Sequence, residues 1–382
     1  MTSRRSRSLS LPVLLASALT LAACSGAPER LSPTDSGPTP APAGMPYDAL
    51  EAWHLFTDGP GQTPAAGVLP YEVVAPLFSD YTIKRRFLWV PPGRKITWHD
   101  TERWEFPVGT ILVKSFAYPL DARDPARGER LLETRLLVHE DAATWVPHTY
   151  EWDAAQTKAV RTVAGDTLDV RWIDAKGATQ ANAYGVPNTN VCKECHGKTG
   201  LTGALGGRTR QWNRAHDYGK GPENQIDHLV SLGLFDVSHG TQGAQGAIPA
   251  ASARETLVDP SGPGSASDRG RSYLDANCSH CHGVVGLAKG TAFWLDWKHT
   301  DPVHGSPVDF GVCKVPASAG GATCGLGFDV VPGHSELSIV PCRTGSLDNK
   351  IAMPPVGHHL VHAEGVALLK EWIDAMPEMK CQ

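Results

Sequence analysis

The chain has 382 residues, 41% of them hydrophobic and 20% charged, with a formal net charge of −5. That length supports two or three compact domains, and the acidic balance argues against a nucleic-acid partner, which would favour a cationic face. Beyond the N-terminus, no apolar run approaches the ~20 residues that a membrane-spanning helix needs.

The N-terminus reads as an export leader. Arg4, Arg5 and Arg7 precede the apolar run "LSLPVLLASALTLAA", which is short for a span and ends on small residues. "LAAC", Leu21 to Cys24, resembles a bacterial lipobox, so residues 1–23 are expected to be removed and Cys24 to carry lipid. Residues 24–45 are rich in Pro, Ser, Gly and Ala and read as a flexible tether. The expected location is the cell envelope, on the periplasmic side, anchored to a membrane through lipid.

From 46 to 185 the signal is strand. "RRFLWV", "KITWHD", "TILVKSFAYP", "ETRLLVHE" and "TYEWD" are short, β-branched or aromatic, and separated by Gly, Pro or Asp. The expectation is a β-rich domain, a sandwich or a barrel. Its aromatic residues read as core, and no nucleotide loop, nucleophile elbow or metalloprotease helix occurs in it.

Residues 186–255 contain "NVCKECHGK", with Cys192, Cys195 and His196. The pattern returns as "NCSHCHG", with Cys278, Cys281 and His282. Four thiolates could hold zinc, and a lone Cys-x-x-Cys could run thiol redox chemistry, but neither explains a histidine behind each second cysteine. Covalent haem attachment explains every position: two thiols add to the two vinyl groups and the next imidazole reaches the iron. Two covalently bound haem c groups are expected, with His196 and His282 as proximal iron ligands. No methionine lies between His196 and the second haem domain, so the sixth ligand of the first haem is His216, His228, His239, a remote residue, or none. In "PENQIDHLVSLGLF", Ile226, Leu229 and Val230 share one helix face and His228 points away from it.

Residues 256–382 form the second haem domain. "SASDRGRSYLDANCSHCHG" reads as a helix opened by Ser or Asp that runs into the haem-binding turn. Val366, Leu369, Ile373 and Met376 mark one face of a C-terminal helix. Haem helix, long loop region, "IAMPP" and closing helix follow the order of a class I cytochrome c, which this segment resembles. That resemblance makes Met353 the distal ligand, stiffened by Pro354 and Pro355, with His358, His359 and His362 as rivals. Arg343 is a candidate partner for a haem propionate.

Of nine cysteines, Cys24 and the four motif cysteines are assigned, leaving Cys313, Cys324, Cys342 and Cys381. Two disulfides are expected in an oxidising compartment. Three connectivities are possible; the short loop "CKVPASAGGATC" favours Cys313 with Cys324, and then Cys342 with Cys381.

The segments "PLFSDYTIKRRF", "FPVGTILVKSFAYP", "LLETRLLVHE", "CKECHG" with "RTRQWNR", and "YLDANCSHCHG" together resemble a family of exported bacterial dihaem c-type cytochromes whose role is largely uncharacterised. The resemblance implies electron transfer with redox protein partners in the envelope. The fold class expected is multidomain α+β, a β-rich N-terminal domain followed by mainly α-helical cytochrome c-like haem regions. The alternative is a haem-dependent oxidoreductase, a peroxidase or dehydrogenase, working at an open first haem.

Overall fold

The computed structural model describes residues 1–2, 37–196, 203–205, 207–237, 247–317 and 323–382, with the side chains of 193–195 set aside. Cys24, the lipobox, most of the tether and His239 lie outside the described residues.

The strand-like runs of the sequence are strands. β1 (Phe56–Asp58) and β2 (Thr63–Pro64) pair as a small hairpin. The main sheet begins with β3 (Val68–Tyr71) and β4 (Ile83–Trp89); β5 (Ile96–Thr97) leaves it. It is completed by β6 (Ile111–Pro119), β7 (Glu129–Asp141), β8 (Thr144–Trp152) and β9 (Ala159–Thr162). The six strands lie in the order β3-β4-β6-β7-β8-β9, antiparallel throughout. Alternation along each strand sorts side chains between two faces. One face carries Val68, Phe87, Trp89, Ile111, Val113, Leu136 and Val138, which bury against Leu50, Trp53 and Leu55. Trp53 is 1% exposed, and its indole N–H donates to the Tyr150 hydroxyl at 2.6 Å. Residues 39–41 lie against this core: the Thr39 amide donates to the Trp53 carbonyl at 2.9 Å and Ala41 packs beside it.

The opposite face is divided. At one end Leu88 joins Trp98, Trp104, Phe106, Trp212, Ile226, Leu229 and Phe235 in a second apolar cluster. At the other end a ribbon of β10 (Asp166–Ile173) and β11 (Thr179–Val186) covers Tyr118 and Leu132 with Val170, Trp172 and Tyr184. Between them the sheet is polar.

The chain leaves the ribbon into α1 (Thr189–His196), which lies against β8 and ends on the first haem motif. Then come α2 (Thr209–Trp212), the pair β12 (Ala215–Asp217) and β13 (Pro222–Asn224), α3 (Gln225–Ser231), and β14 (Phe235–Asp236), which pairs in parallel with β5. On α3, Ile226 and Leu229 are fully buried but Val230 is 44% exposed, so the expected three-residue apolar face has two members.

The C-terminal part holds α4 (Ala266–Asn277), α5 (Ile339–Thr344) and α6 (Ala363–Asp374). Ser265 caps α4: its hydroxyl accepts the Asp268 amide at 3.0 Å and donates to the Asp268 carboxylate at 2.7 Å. Helices α4 and α6 cross with Tyr273, Leu274, Leu368, Leu369, Trp372 and Ile373 between them. On α6, Leu369 and Ile373 are buried as expected, Val366 and Met376 only half so; Leu368 and Trp372 complete the face.

Three expectations are corrected. The haem regions are not mainly α-helical: the protein is 27% strand and 20% helix, and a large β-sheet dominates. The six helices of the described residues are short, 4 to 12 residues each, and the chain between α4 and α5 is loop and 3-10 turn. The β-rich part is neither a two-sheet sandwich nor a closed barrel, because its sheet is open at β3 and β9 and its second cover is only a ribbon. The disulfides are Cys313–Cys381 and Cys324–Cys342, with Cα atoms 4.9 and 6.6 Å apart. Cys313 is held beside Val330 by a backbone hydrogen bond of 2.9 Å, where the returning C-terminus reaches it, and its Sγ is thereby taken from Cys324.

The α4–α6 crossing depends on two glycines. A methyl group on Gly270 would meet the Trp372 side chain at 2.7 Å, and one on Gly365 would overlap the Tyr273 hydroxyl. Gly365→Ala should destabilise the protein by about 1–3 kcal/mol through overpacking. Gly290→Ala, with nothing within 4 Å, should do so far less. Equal denaturant midpoints for the two variants would show that the crossing is looser than drawn.

Candidate functional site

Both haem motifs sit at helix C-termini. α1 runs through Cys192 to His196, while α4 ends at Asn277 and Cys278 begins a turn in which the His282 amide donates to the Cys278 carbonyl at 2.8 Å. That hydrogen bond sets Cys278 and His282 one helical turn apart along the backbone.

The two histidines share one arrangement. His196 Nδ1 lies 3.1 Å from the Gly203 carbonyl, and His282 Nδ1 lies 3.3 Å from the Phe293 carbonyl. A carbonyl only accepts, so Nδ1 carries the proton in each ring and Nε2 holds a free lone pair. Metal-ligating histidines are oriented in just this way by their outer partners. Burial lowers both pKa values to about 4, and the carbonyl hydrogen bonds only partly oppose it. At neutral pH both imidazoles are therefore neutral. Burial pushes the thiol of Cys278 up to about 12, so the uncoordinated group is a neutral thiol.

The motifs are also near one another. His280, inside the second motif, is close enough to both His196 and His282 to disfavour their protonation. Lys114 and Arg135 act likewise on His196, and Arg343 and Lys314 on His282. His280 and the flanking Ser279 and Gly283 line a cavity of about 520 Å³, together with Arg208 and Arg210.

Of the sixth-ligand candidates for the first haem, His216 and His228 are gathered around Tyr218. The His228 ring stacks on Tyr218 at 3.7 Å and its Nδ1 bonds to Glu223 at 2.8 Å; His216 meets Tyr218 edge-on at 4.7 Å. The structure does not bring either to His196. Met353 is half-buried, and its amide donates to the Arg343 carbonyl at 3.0 Å. The Arg343 side chain donates to the Ile351 carbonyl at 2.8 Å, so the residue that bears on His282 also braces the Met353 loop. Of the three rivals, His359 is held by Asp80, and His362 stacks on Phe78 and bonds to Tyr273. His358 has both ring nitrogens buried, with the Val356 backbone close enough to favour its protonated form against burial.

Sequence reasoning missed the residue that fixes the second motif. Arg210, 4% exposed, makes a two-pronged pair with Asp275, Nε to Oδ2 at 3.1 Å and Nη2 to Oδ1 at 2.9 Å. Its Nη1 reaches Glu255 at 3.1 Å and the Thr101 carbonyl at 3.0 Å. Asp275 lies on α4 three residues before Cys278. The Phe78 amide adds a second tie, to Asn277 at 2.7 Å. The only sequence signal for Arg210 was its place in "RTRQWNR", a polar string that the structure buries from Thr209 to Trp212.

Among the described residues no group of three or more His, Cys, Asp or Glu side chains is gathered to hold a metal ion. A haem needs no such group, since four of its iron's ligands belong to the porphyrin. No helix of the described residues is long and apolar enough to cross a membrane. A scan against protein-family models, a search of curated proteins and a search of solved structures each found no match.

Two outcomes are expected. Arg210→Met leaves the Asp275 carboxylate buried and unpaired, at a cost of about 3–5 kcal/mol, and adding Asp275→Asn should recover part of it. Additive losses in thermal or urea unfolding would contradict the pairing. The lowered histidine pKa values carry a sign: the ligating neutral form persists down to about pH 4, whereas an unfolded chain takes up these protons near 6.5. Stability from these groups is thus present above about pH 6.5 and lost toward pH 4. Urea unfolding followed from pH 8 to 4 should show stability falling between about pH 6.5 and 4, and a flat profile across that window would count against it.

Proposed function

We propose that this protein is an electron carrier of the bacterial cell envelope, with one haem attached at Cys192, Cys195 and His196 and another at Cys278, Cys281 and His282. The observation that carries the reading is the pair of half-buried, neutral imidazoles, each with Nδ1 held by a backbone carbonyl and Nε2 left for iron. Haem c, when bound, supplies a one-electron iron couple.

The chain's own residues do the rest. The two cysteines of each motif hold the porphyrin edge by thioethers, so retention does not depend on a deep pocket. His196 and His282 present the fifth ligand in a fixed tautomer. Met353 is the proposed sixth ligand of the second haem, on a loop braced by Arg343, and His358 is the histidine of that loop free to compete with it. Phe293, whose carbonyl orients His282, also sets its ring edge-on to that imidazole at 5.1 Å, excluding water from the ligand. Arg210 and Asp275 hold α4, which leads into the second motif, against the β-rich part. Cys24 is the proposed lipid attachment point, keeping the body near membrane-bound redox partners.

The test is stoichiometry. The protein exported from a bacterial host should carry two haems that survive acid–acetone extraction, and one after Cys192→Ala with Cys195→Ala. In the same series Met353→Ala should abolish the weak near-infrared sulfur-to-iron band. Zinc in place of haem, or a single haem in the unaltered protein, would refute the reading; a sulfur band that survives Met353→Ala would remove Met353 alone.

A further inference from the structure

The polar middle of the main sheet has a pattern that no single strand reveals. Arg86 on β4 stands directly opposite Lys114 on β6, and Lys114 directly opposite Arg135 on β7. Residues opposite one another share a face, so three cations stand side by side across three strands, with Tyr71 and Thr149 at the ends of the row. Like charges placed so are unfavourable unless something negative lies over them.

The chain supplies only part of that charge. Glu133 takes Arg135 with two hydrogen bonds, 2.8 and 2.5 Å, and Tyr184 donates to the same carboxylate at 2.6 Å. Burial opposes it, yet this carboxylate holds the Arg135 guanidinium above its ordinary pKa. Glu72, the acid nearest Arg86, pairs with Arg214 at 2.7 Å. Lys84, one step along the face, gives its ammonium to the Leu77 carbonyl at 2.7 Å. Arg86 has one long contact of 3.4 Å to the Lys84 carbonyl, and Lys114 lies 4.9 Å over the Phe116 ring with no carboxylate bonded to it among the described residues. Both are half-buried, and burial together with the neighbouring cations drives both pKa values down. Glu133 acts on Lys114 but is bonded to Arg135, and Glu72 acts on Arg86 but is paired with Arg214, so neither cation has a carboxylate of its own.

Its position is equally specific. Helix α1, which carries Cys192 and His196, lies against β8, the strand that pairs with β7 where Arg135 stands opposite Thr149. The row starts beside the attachment edge of the first motif and runs away from it. At ~4.8 Å per strand, Arg86 and Lys114 start about 5 Å apart, a separation that suits two carboxylates carried on one edge of a porphyrin.

We propose that Arg86 and Lys114 are the carboxylate-binding residues for the two propionates of the first haem, with Arg135, fixed by Glu133, closing the row at the attachment edge. The inference rests on haem attachment at Cys192, Cys195 and His196. Two open cations then meet two carboxylates, and the geometry explains why a sheet in an acidic protein tolerates the row.

The experiment uses the exported, haem-loaded protein and the variants Arg86→Gln, Lys114→Gln and Lys114→Arg. Losing a cation leaves a propionate charge that favours oxidised iron, so each Gln variant should lower the potential of one haem step and leave the other in place. The propionate bending band in resonance Raman spectra should shift for one haem, and Lys114→Arg should restore both readouts. The Gln variants relieve repulsion in the row and are expected to fold; two covalent haems by pyridine haemochromogen confirm it. A full haem count with neither potential nor Raman band moved overturns the proposal. So does conversion of one haem to high spin in Lys114→Gln, which would make Lys114 an iron ligand. So does a potential in the unaltered protein that responds to added malonate but not in the variants, which would assign the row to a free carboxylate. Fewer than two haems in the unaltered protein would sink the haem reading itself and the propionate site with it.

Discussion

The buried pair of Arg210 and Asp275 is the interaction on which the arrangement depends. Two charges removed from water are costly, and their attraction offsets the cost only when geometry is good and the remaining polar atoms are satisfied. Here they are. Asp275 Oδ1 accepts from Arg210 and from the Trp297 amide at 2.9 Å, while Oδ2 accepts from Arg210 Nε. Arg210 spends its remaining donors on Glu255 and on the Thr101 carbonyl. One guanidinium thus touches the β-rich part, the stretch before α4, and α4 itself. Any slide of one region past another would strand a charge, so α4 and the Cys278 motif at its end are held against the β-rich part.

That rigidity has an electrostatic consequence. The chain is acidic overall, yet positive charge is concentrated around the motifs: Lys84, Arg86, Lys114 and Arg135 on the sheet, Arg103, Arg208 and Arg210 beside the cavity. Burial lowers the pKa of Arg208 to about 10, with Arg210 and Arg103 adding like-charge repulsion. Excess negative charge must therefore lie elsewhere on the surface. A partner would meet an acidic exterior, while a bound anionic cofactor meets a cationic interior.

How much of this was legible in sequence follows from the range of each signal. Strand alternation is local, and "TILVKSFAYP" and "ETRLLVHE" became β6 and β7 with core residues on one face. The Cys-x-x-Cys-His spacing is local too, and each motif lies where a helix ends. The extent of helix was misjudged because attachment needs one helical turn at the motif, not a helical domain; between α4 and α5 disulfides and turns replace the helices expected. Connectivity of Cys313, Cys324, Cys342 and Cys381 depends on where the C-terminus returns, which loop length does not encode. Arg86, Lys114 and Arg135 lie on three strands, and only the register aligns them. The carbonyls that orient His196 and His282 belong to residues 7 and 11 positions later, spacings that carry no sequence signature.

If haem is attached as proposed, a β-sheet beneath it is chemically sensible even though helices usually surround such groups. Thioethers remove the need for a deep pocket to retain the porphyrin, so the scaffold is free to supply charge and orientation instead. Neighbouring strands place opposite residues at a fixed ~4.8 Å pitch, and hydrogen bonds on both sides of β6 and β7 keep that pitch rigid. A single helix could bring like charges to one face only at three- and four-residue spacing, and its exposed side chains would be free to swing apart. On the sheet, Phe116 supports both Lys114 and Arg135, at 4.9 and 4.3 Å from its ring, and Glu133 fixes the latter from below. Charges that cannot move cost little reorganisation when an electron arrives, which is the property a carrier requires of its surroundings.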